Sequence, residues 1–345
     1  MSLANDYRPK DWDDVVEQGI TTTILKNICN ADKLSCRNFL LTGSQGVGKT
    51  TTARIMANKL NDGEGEVIEV DAASHGSTEA LRELMNQAKT FPLIGKFKIL
   101  IIDECHVISA TGWGVLLKTL EESPARTVFF LCTTNPEKIP KTILSRVQQF
   151  QLSKISLEGI EQRIKYVLDS EVAKGRDISY TPDGINFIAK LAQGGMRDAL
   201  TQLDTVLAFS NQVTSETVAS ALNLSNYDDY FALLSAVAKH DNKAIVDIVD
   251  TIYNSGVNFI KWFEDFNSFV MNIIKYILLQ DISRTMIPTQ YEDKLSKYTT
   301  AHYSICLRLS NVLMTINNEL RTTNYLQETV LARLCTLPPK TVNKG

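Results

Sequence analysis

Between an apolar triplet and a helix-like stretch the chain carries Gly43-Ser44-Gln45-Gly46-Val47-Gly48-Lys49-Thr50, a match to the phosphate-loop pattern G-x-x-x-x-G-K-[ST]. Phe39-Leu40-Leu41 before it reads as a short buried strand, and the run from Thr51 to Leu60 after it reads as a helix. Strand, glycine-rich turn and helix in that order restrict the chain to α/β folds in which a strand ends beneath a helix N-terminus. Glycines let the backbone bend around a polyphosphate so that its N–H groups point at the anion. The positive end of the helix dipole adds to the attraction. In this reading the backbone of Gly43, Gly46, Val47, Gly48 and Thr51 forms the cradle, Lys49 reaches the terminal phosphates, and the Thr50 hydroxyl is a magnesium ligand. A glycine-rich turn matching by chance is the competing reading, and the flanking strand and helix weigh against it.

Short apolar runs alternate with helical periodicity over the first 150 or so residues, which predicts a parallel sheet. The expected strands are Phe39–Leu41, Val67–Val70, Ile99–Ile102, Val128–Cys132 and Gln148–Leu152. From Ile155 onward β-branched runs vanish. Glu158–Ala173, Asp183–Ala192, Met196–Ala208 and Ser215–Leu222 read as short helices joined by polar turns. Beyond Asn223 come longer apolar-striped helices, Tyr227–Lys239, Asn242–Ser255, Asn258–Leu279, Ala301–Asn318 and Leu326–Leu334. This succession predicts three domains, with disorder only at the tail, Val342–Gly345.

A second element fits the phosphate loop. Ile99-Leu100-Ile101-Ile102 runs into Asp103-Glu104, an apolar strand ending in two carboxylates. Asp103 suits a magnesium shell, and Glu104 suits accepting a proton from an attacking water. A strand that merely ends in a polar turn is the alternative, but beside a phosphate loop the doublet favours hydrolysis over simple transfer. Leu131-Cys132-Thr133-Thr134-Asn135-Pro136 is a third strand end, whose hydroxyl would stand beside a terminal phosphate; Thr-Asn-Pro is equally ordinary turn chemistry. Arg146 has no carboxylate partner nearby in sequence, and is either a solvated surface residue or an arginine finger entering a neighbouring subunit's site. Arg197 opens a helix in Gly194-Gly195-Met196-Arg197-Asp198-Ala199-Leu200, where the dipole disfavours a cation. Either an anion such as a γ-phosphate compensates it, or Asp198 or Asp204 pairs with it.

Composition excludes other classes. No run approaches the roughly 18 apolar residues of a membrane span. The start, Met1 to Asp6, lacks the basic region and apolar core of a secretory signal, so a cytoplasmic setting is expected. The six cysteines, at 29, 36, 105, 132, 306 and 335, contain no C-x-x-C pair, and read as reduced thiols, several of them buried. A net charge of −3 does not advertise nucleic acid, so any DNA contact must come from a local patch or from helix N-termini.

Read in order, Tyr7-Arg8-Pro9, Val15-Val16-Glu17-Gln18, the phosphate loop, Glu69-Val70-Asp71-Ala72-Ala73-Ser74 and Ile102-Asp103-Glu104-Cys105-His106 resemble one family. Leu116-Leu117-Lys118-Thr119-Leu120-Glu121-Glu122, Thr133-Thr134, Leu144-Ser145-Arg146 and Gly195-Met196-Arg197-Asp198-Ala199-Leu200 continue the match over residues 5–222. The family is the gamma/tau clamp-loader subunits of bacterial DNA polymerase III, members of the AAA+ ATPases. The resemblance implies an α/β AAA+ P-loop domain with a parallel sheet over residues 1–155, a small all-α lid over 156–222 and an all-α collar over 223–345. It puts Tyr7, Arg8, Pro9 and Gln18 around adenine and ribose, makes Thr134 the sensor on the strand beside the phosphate loop, and makes Arg197 the lid sensor of the γ-phosphate. It makes Arg146 a finger acting in trans, and Arg82 and Ser77 DNA-facing. The family's four-cysteine zinc module is absent, since only Asn61-Asp62-Gly63-Glu64-Gly65 stands in its place, and Ser-Arg-Cys becomes Ser145-Arg146-Val147. The segment His75-Gly76-Ser77-Thr78, often basic in the family, is not so here, which implies weaker backbone contacts. A short form lacking the polymerase-binding extension, compact and without the module, suits a phage or divergent replication system.

The implied activity is ATP- and Mg2+-dependent work on a sliding clamp. Several subunits in a pentamer would grip the opened clamp, and primer–template DNA, contacted through its phosphates, would trigger hydrolysis and release. Rival readings are a hexameric AAA+ branch-migration or helicase-loading motor, a non-hydrolysing scaffold subunit of a loader, and a small-molecule kinase. The first should lack the long C-terminal helices, the second has no need of Lys49, Thr50, Asp103 and Glu104 together, and the third leaves Arg146 and Arg197 unexplained.

Overall fold

The computed structural model of the chain describes residues 2–337 other than 32, 35, 76, 123 and 223–226; the tail Val342–Gly345 and the expected boundary at residue 223 lie outside them. Five parallel strands form one sheet. They are β1 (Asn38–Thr42), β2 (Val67–Asp71), β3 (Lys98–Asp103), β4 (Thr127–Thr133) and β5 (Gln148–Gln151), in the order β2-β3-β4-β1-β5. Each expected strand is present, with its ends moved by no more than one residue. The signal is strong because β1, β3 and β4 are buried on both faces and so are apolar almost throughout.

Alternation divides those side chains between two cores. Phe39, Leu41, Ile99, Ile101, Val128 and Phe130 face one way, with Leu25 of α2 (Gly19–Cys29) and Ala53, Met56 and Leu60 of α3 (Lys49–Leu60). The short α1 (Leu3–Asp6) precedes them in the chain. Leu40, Leu100, Ile102, Phe129 and Leu131 face the other way, against Leu81, Leu84 and Met85 of α5 (Thr78–Ala88) and Trp113, Leu116 and Leu120 of α6 (Ala110–Glu122). A one-turn α4 (Ala72–His75) follows β2, α7 (Lys141–Leu144) precedes β5, and α8 (Leu157–Ala173) follows it. Burying each large apolar side chain contributes about 1.5–3 kcal/mol, so this double core fixes where the C-terminal strand ends stand.

In the turn between α3 and β2, where the sequence has no room for the zinc module, one side chain ties that turn to the segment leading into β3. Asn61 Oδ1 accepts from the backbone N–H groups of Lys96 and Phe97 at 3.0 and 2.8 Å, and its amide donates to the Phe97 carbonyl at 2.9 Å.

The backbone groups into two compact units, Met1–Asp177 with Ile188–Thr205, and Ile178–Phe187 with Val206–Gly345. This partition differs from a division at residues 155 and 222, because α9 (Pro182–Leu191) and α10 (Met196–Phe209) are each shared between the units. Within the second unit, α11 (Ser215–Ala221), α12 (Tyr227–Lys239), α13 (Asn242–Asn254), α14 (Phe259–Leu279), α15 (Glu292–Leu295), α16 (Thr300–Leu320) and α17 (Leu326–Leu334) follow in order. α14 is its axis: Phe259, Trp262, Phe263, Phe266, Val270 and Ile273 repeat at helical spacing and meet Leu309, Leu313 and Ile316 of α16. Aromatic contacts thicken this core, as where the Tyr230 and Trp262 ring centroids lie 4.8 Å apart. The parallel two-residue pair β6 (Ser179–Tyr180) and β7 (Gln212–Val213) is absent from the sequence-based expectations. Two residues carry no period. Among the described residues no helix is long and apolar enough to cross a membrane.

Candidate functional site

At the C-terminal edge of the sheet, β1 leads through the glycine-rich loop into α3, and a cavity opens there, as expected for a parallel sheet. Gly43 has φ 146°, and a Cβ on it would stand 2.5 Å from the Leu152 carbonyl oxygen; no side chain fits. Gly48 caps α3 in the left-handed region at φ 103°. Gly46, Val47, Gly48, Lys49, Thr50 and Thr51 all line the cavity, whereas Gly43 does not. Lys49 is only 6% exposed. Its Nζ donates to the carbonyls of Gly43 and Ser44 at 3.0 and 2.9 Å, which holds the ammonium inside the loop.

The carboxylates come next to it. Thr50 Oγ1 donates to Asp103 Oδ2 at 2.6 Å, so a hydroxyl in the first turn of α3 meets the carboxylate that ends β3. Glu104 follows with φ 47°, left-handed for a residue that is not glycine, and its N–H donates to Asp103 Oδ1 at 2.9 Å. The Glu104 carboxylate is held from the residue just beyond β4: Thr134 Oγ1 lies 3.1 Å from Glu104 Oε2 and 2.9 Å from Asn135 Oδ1. His106 Nδ1 stands 3.2 Å from the same Glu104 oxygen and 3.1 Å from Thr133 Oγ1. Asp103 and Glu104 line the cavity, and Thr134 reaches it through Glu104.

Opposite the loop stands Arg197 at the start of α10, which also lines the cavity. Its N–H approaches the Gly46 carbonyl at 3.4 Å. Among the described residues no carboxylate pairs with its guanidinium, and Asp204, one partner considered from sequence, accepts instead from Ser2 Oγ and Leu3 N. Tyr7, Arg8 and Pro9 form another wall with Val15 and Val16. Burial, then the neighbouring charges of Arg54 and Arg197, push the Arg8 guanidinium down from its ordinary value, while Glu69 and Asp103 push it up. Arg8 thus shares the field of Asp103 and Arg197. Arg54 is forked onto Glu69 by two bonds of 2.7 and 2.8 Å.

Other expected residues stand apart from the cavity. Gln18 is buried with both ends of its amide on the Ser153 backbone, at 2.8 and 3.0 Å, and does not line it. Arg146 is half-exposed and bound to its own chain, to Glu121 Oε1 at 2.5 Å, the Thr142 carbonyl at 2.8 Å and Ser145 Oγ at 3.0 Å. Glu121 lies on α6, far away in sequence, so local inspection could not find it. Ser77 is the N-cap of α5, accepting from Ala80 N at 3.2 Å, and Arg82 projects from the exposed side of that helix.

Two groups escaped the sequence reading. His106 was visible in Asp103-Glu104-Cys105-His106 but carried no assigned role. On α8, Glu171 falls in the apolar stripe of Ile160, Ile164 and Val167, where a buried carboxylate needs partners. The thiols take no part. All six are free, Cys105, Cys132 and Cys306 are buried, and burial pushes the Cys306 thiol up to about 12.

With this geometry in hand, known proteins give a consistent comparison. A family model described as DNA polymerase III, delta subunit, matches residues 65–156, and one described as DNA polymerase III clamp loader subunit, ATPase lid domain, matches residues 159–212. DNA polymerase III subunit gamma of Buchnera aphidicola is 34% identical over 277 residues, covering 74% of this chain and 75% of that protein. DNA polymerase III subunit gamma/tau of Mycoplasma genitalium is 31% identical over 331 residues, covering 88% of this chain and 53% of that protein. The chain spans only about half of that relative, and 42% of subunit tau of Escherichia coli. Among solved structures, the Thermotoga maritima RuvB Holliday junction branch migration motor matches with TM-score 0.52 at 18% identity, over 67% of this chain and 79% of that one, which shows the shared fold alone.

Proposed function

The chain belongs to the DNA polymerase III gamma/tau family, and from that membership we propose that it is an ATP-hydrolysing motor subunit of a sliding-clamp loader. One observation carries the reading: Lys49, Thr50, Asp103, Glu104 and Arg197, far apart in sequence, line a single cavity. Thr50 Oγ1 and the Asp103 carboxylate offer two hard oxygens, the small protein share with which magnesium is held beside phosphates and water. Bound there, the ion would neutralise charge developing between the β- and γ-phosphates. Lys49 would exchange its two carbonyl acceptors for phosphate oxygens, and Arg197, with no competing carboxylate, would read the γ-phosphate from α10. Glu104, oriented by Thr134 and His106, would accept the proton of the attacking water. Tyr7, Arg8 and Pro9 would face the rest of the nucleotide. Gln18, bonded to the Ser153 backbone and outside the cavity lining, would stand apart from the nucleotide.

Arg146, outside its own chain's cavity, would complete the site of a neighbouring subunit, an effect worth several orders of magnitude in rate in sites of this kind. We place the chain in a pentamer with other loader subunits, in a cytoplasmic setting, with ATPase, lid and collar functions divided near residues 155 and 222. The assembly would grip a sliding clamp and admit primer–template DNA. Arg82, and backbone groups near the Ser77 cap, would touch DNA phosphates without reading bases. Against a branch-migration motor stands the family membership, since the RuvB likeness concerns fold alone.

Equilibrium binding and hydrolysis of Mg-ATP test the site. Glu104→Gln should bind ATP normally while hydrolysing it ~100-fold more slowly or worse, and Lys49→Ala should lose binding. Normal hydrolysis by both variants would overturn the proposal.

A further inference from the structure

Glu171 does not itself line the cavity, yet its carboxylate gathers donors from well-separated parts of the sequence. It accepts from Tyr7 Oη at 2.7 Å, Lys174 Nζ at 2.7 Å and Arg176 Nη1 at 3.1 Å, and the residue is 8% exposed. Lys174 Nζ also donates to Tyr7 Oη at 2.9 Å and stands 4.7 Å from the centroid of the Tyr7 ring. Arg163 Nη2 donates to the Tyr7 carbonyl at 2.9 Å, and Tyr166 meets the Tyr7 ring edge-on at 6.3 Å. Tyr7 is therefore gripped at hydroxyl, ring and carbonyl by α8 and the turn that follows it. The same N-terminal strap is tied at its start, where Ser2 Oγ and Leu3 N donate to Asp204 Oδ2 of α10 at 3.0 and 2.8 Å.

Tyr7 also lines the cavity. A wall carried on a strap this short holds its place only through what grips it, and the strongest grip is a buried, charge-assisted hydrogen bond. We infer that Glu171 is a positioning residue for nucleotide binding: by anchoring the Tyr7 hydroxyl it sets where the cavity wall stands and joins the strap to α8. This rests on reading the cavity as a nucleotide site. Without the anchor the strap must be ordered when nucleotide binds, which weakens affinity. The chemical step, at Glu104 and Lys49, is left alone.

Calorimetric titration with the Mg2+ complex of adenylyl-imidodiphosphate, well below each variant's Tm, separates positioning from simple stapling of the fold. Glu171→Ala should weaken binding and raise KM for ATP about tenfold with kcat within about twofold. Glu171→Gln, which keeps an acceptor for Tyr7, should lose less. Tyr7→Phe should weaken binding about fivefold and add clearly less than that in the Glu171→Ala background, because both remove the Tyr7–Glu171 bond and only the Lys174 contact to the hydroxyl is left to lose. Unchanged affinity in Glu171→Ala, with Tm lowered or not, would overturn the inference, as would full additivity with Tyr7→Phe. Should Glu171→Ala fail to fold, Glu171→Gln and Tyr7→Phe decide it alone. Wild-type protein binding no better than Lys49→Ala would instead overturn the nucleotide reading beneath it.

Discussion

Glu104 occupies left-handed backbone, at φ 47°, which costs a non-glycine residue about 1–3 kcal/mol and persists only where its surroundings impose it. Here the imposing groups are Asp103, which accepts from its N–H, and Thr134 and His106, which grip its carboxylate. His106→Ala should therefore lower kcat by about tenfold while nucleotide affinity, measured by titration, stays unchanged. An equal loss of affinity would mean that His106 serves the fold of the loop. Glu171 gives a pH signature. Hydrogen bonds from Lys174 and Tyr7, then Arg176, hold its carboxyl down to about 2 against an ordinary 4.5. Its stabilisation is then complete above about 4.5 and fades as pH falls through 2, because the unfolded chain takes up the proton first. The Tm difference between wild type and Glu171→Gln should be constant above pH 5 and shrink below about 4.5. Lys49, Thr50 and Asp103 were legible in the sequence because their spacing is set by backbone geometry. Glu171 and the Glu121–Arg146 pair were not, because their partners lie at distances that only the folded chain closes.

At the scale of elements, β1, β3 and β4 could be read because burial on both faces leaves uninterrupted apolar runs. Long helices such as α14 and α16 could be read because one apolar face repeats over many turns. The β6–β7 pair and the one-turn helices could not, since they are too short to show a period. The turn from α3 to β2 is tied to the rest of the domain by a side chain. Asn61 makes three hydrogen bonds to the segment that leads into β3, two of them from backbone N–H groups. Asn61→Ala should destabilise the protein by about 2 kcal/mol, read as a shift of the urea midpoint without loss of ATP affinity at low temperature. A neutral result would show that the turn and the approach to β3 hold together without these bonds.

At the scale of the molecule, the cavity draws cations such as Arg8, Lys49 and Arg197 from its own chain, and on the proposed mechanism a neighbouring subunit would supply one more. Arg146 is the arginine of the family motif, and it stands outside the cavity, paired with Glu121. On the proposed mechanism such a hydrolase would be complete only in company, which would tie ATP turnover to assembly on clamp and DNA. The pairing of variants tests this most directly. Glu104→Gln lacks the base but keeps the finger, and Arg146→Ala keeps the base but lacks the finger. Each should hydrolyse ATP at a few hundredths of the wild-type rate or less, in assemblies reconstituted with clamp and primed DNA. Mixed before assembly, the two should regain activity that clamp and DNA stimulate, because an intact base then meets an intact finger across a subunit boundary. Full activity of Arg146→Ala by itself, or a mixture as inactive as Glu104→Gln alone, would contradict the account.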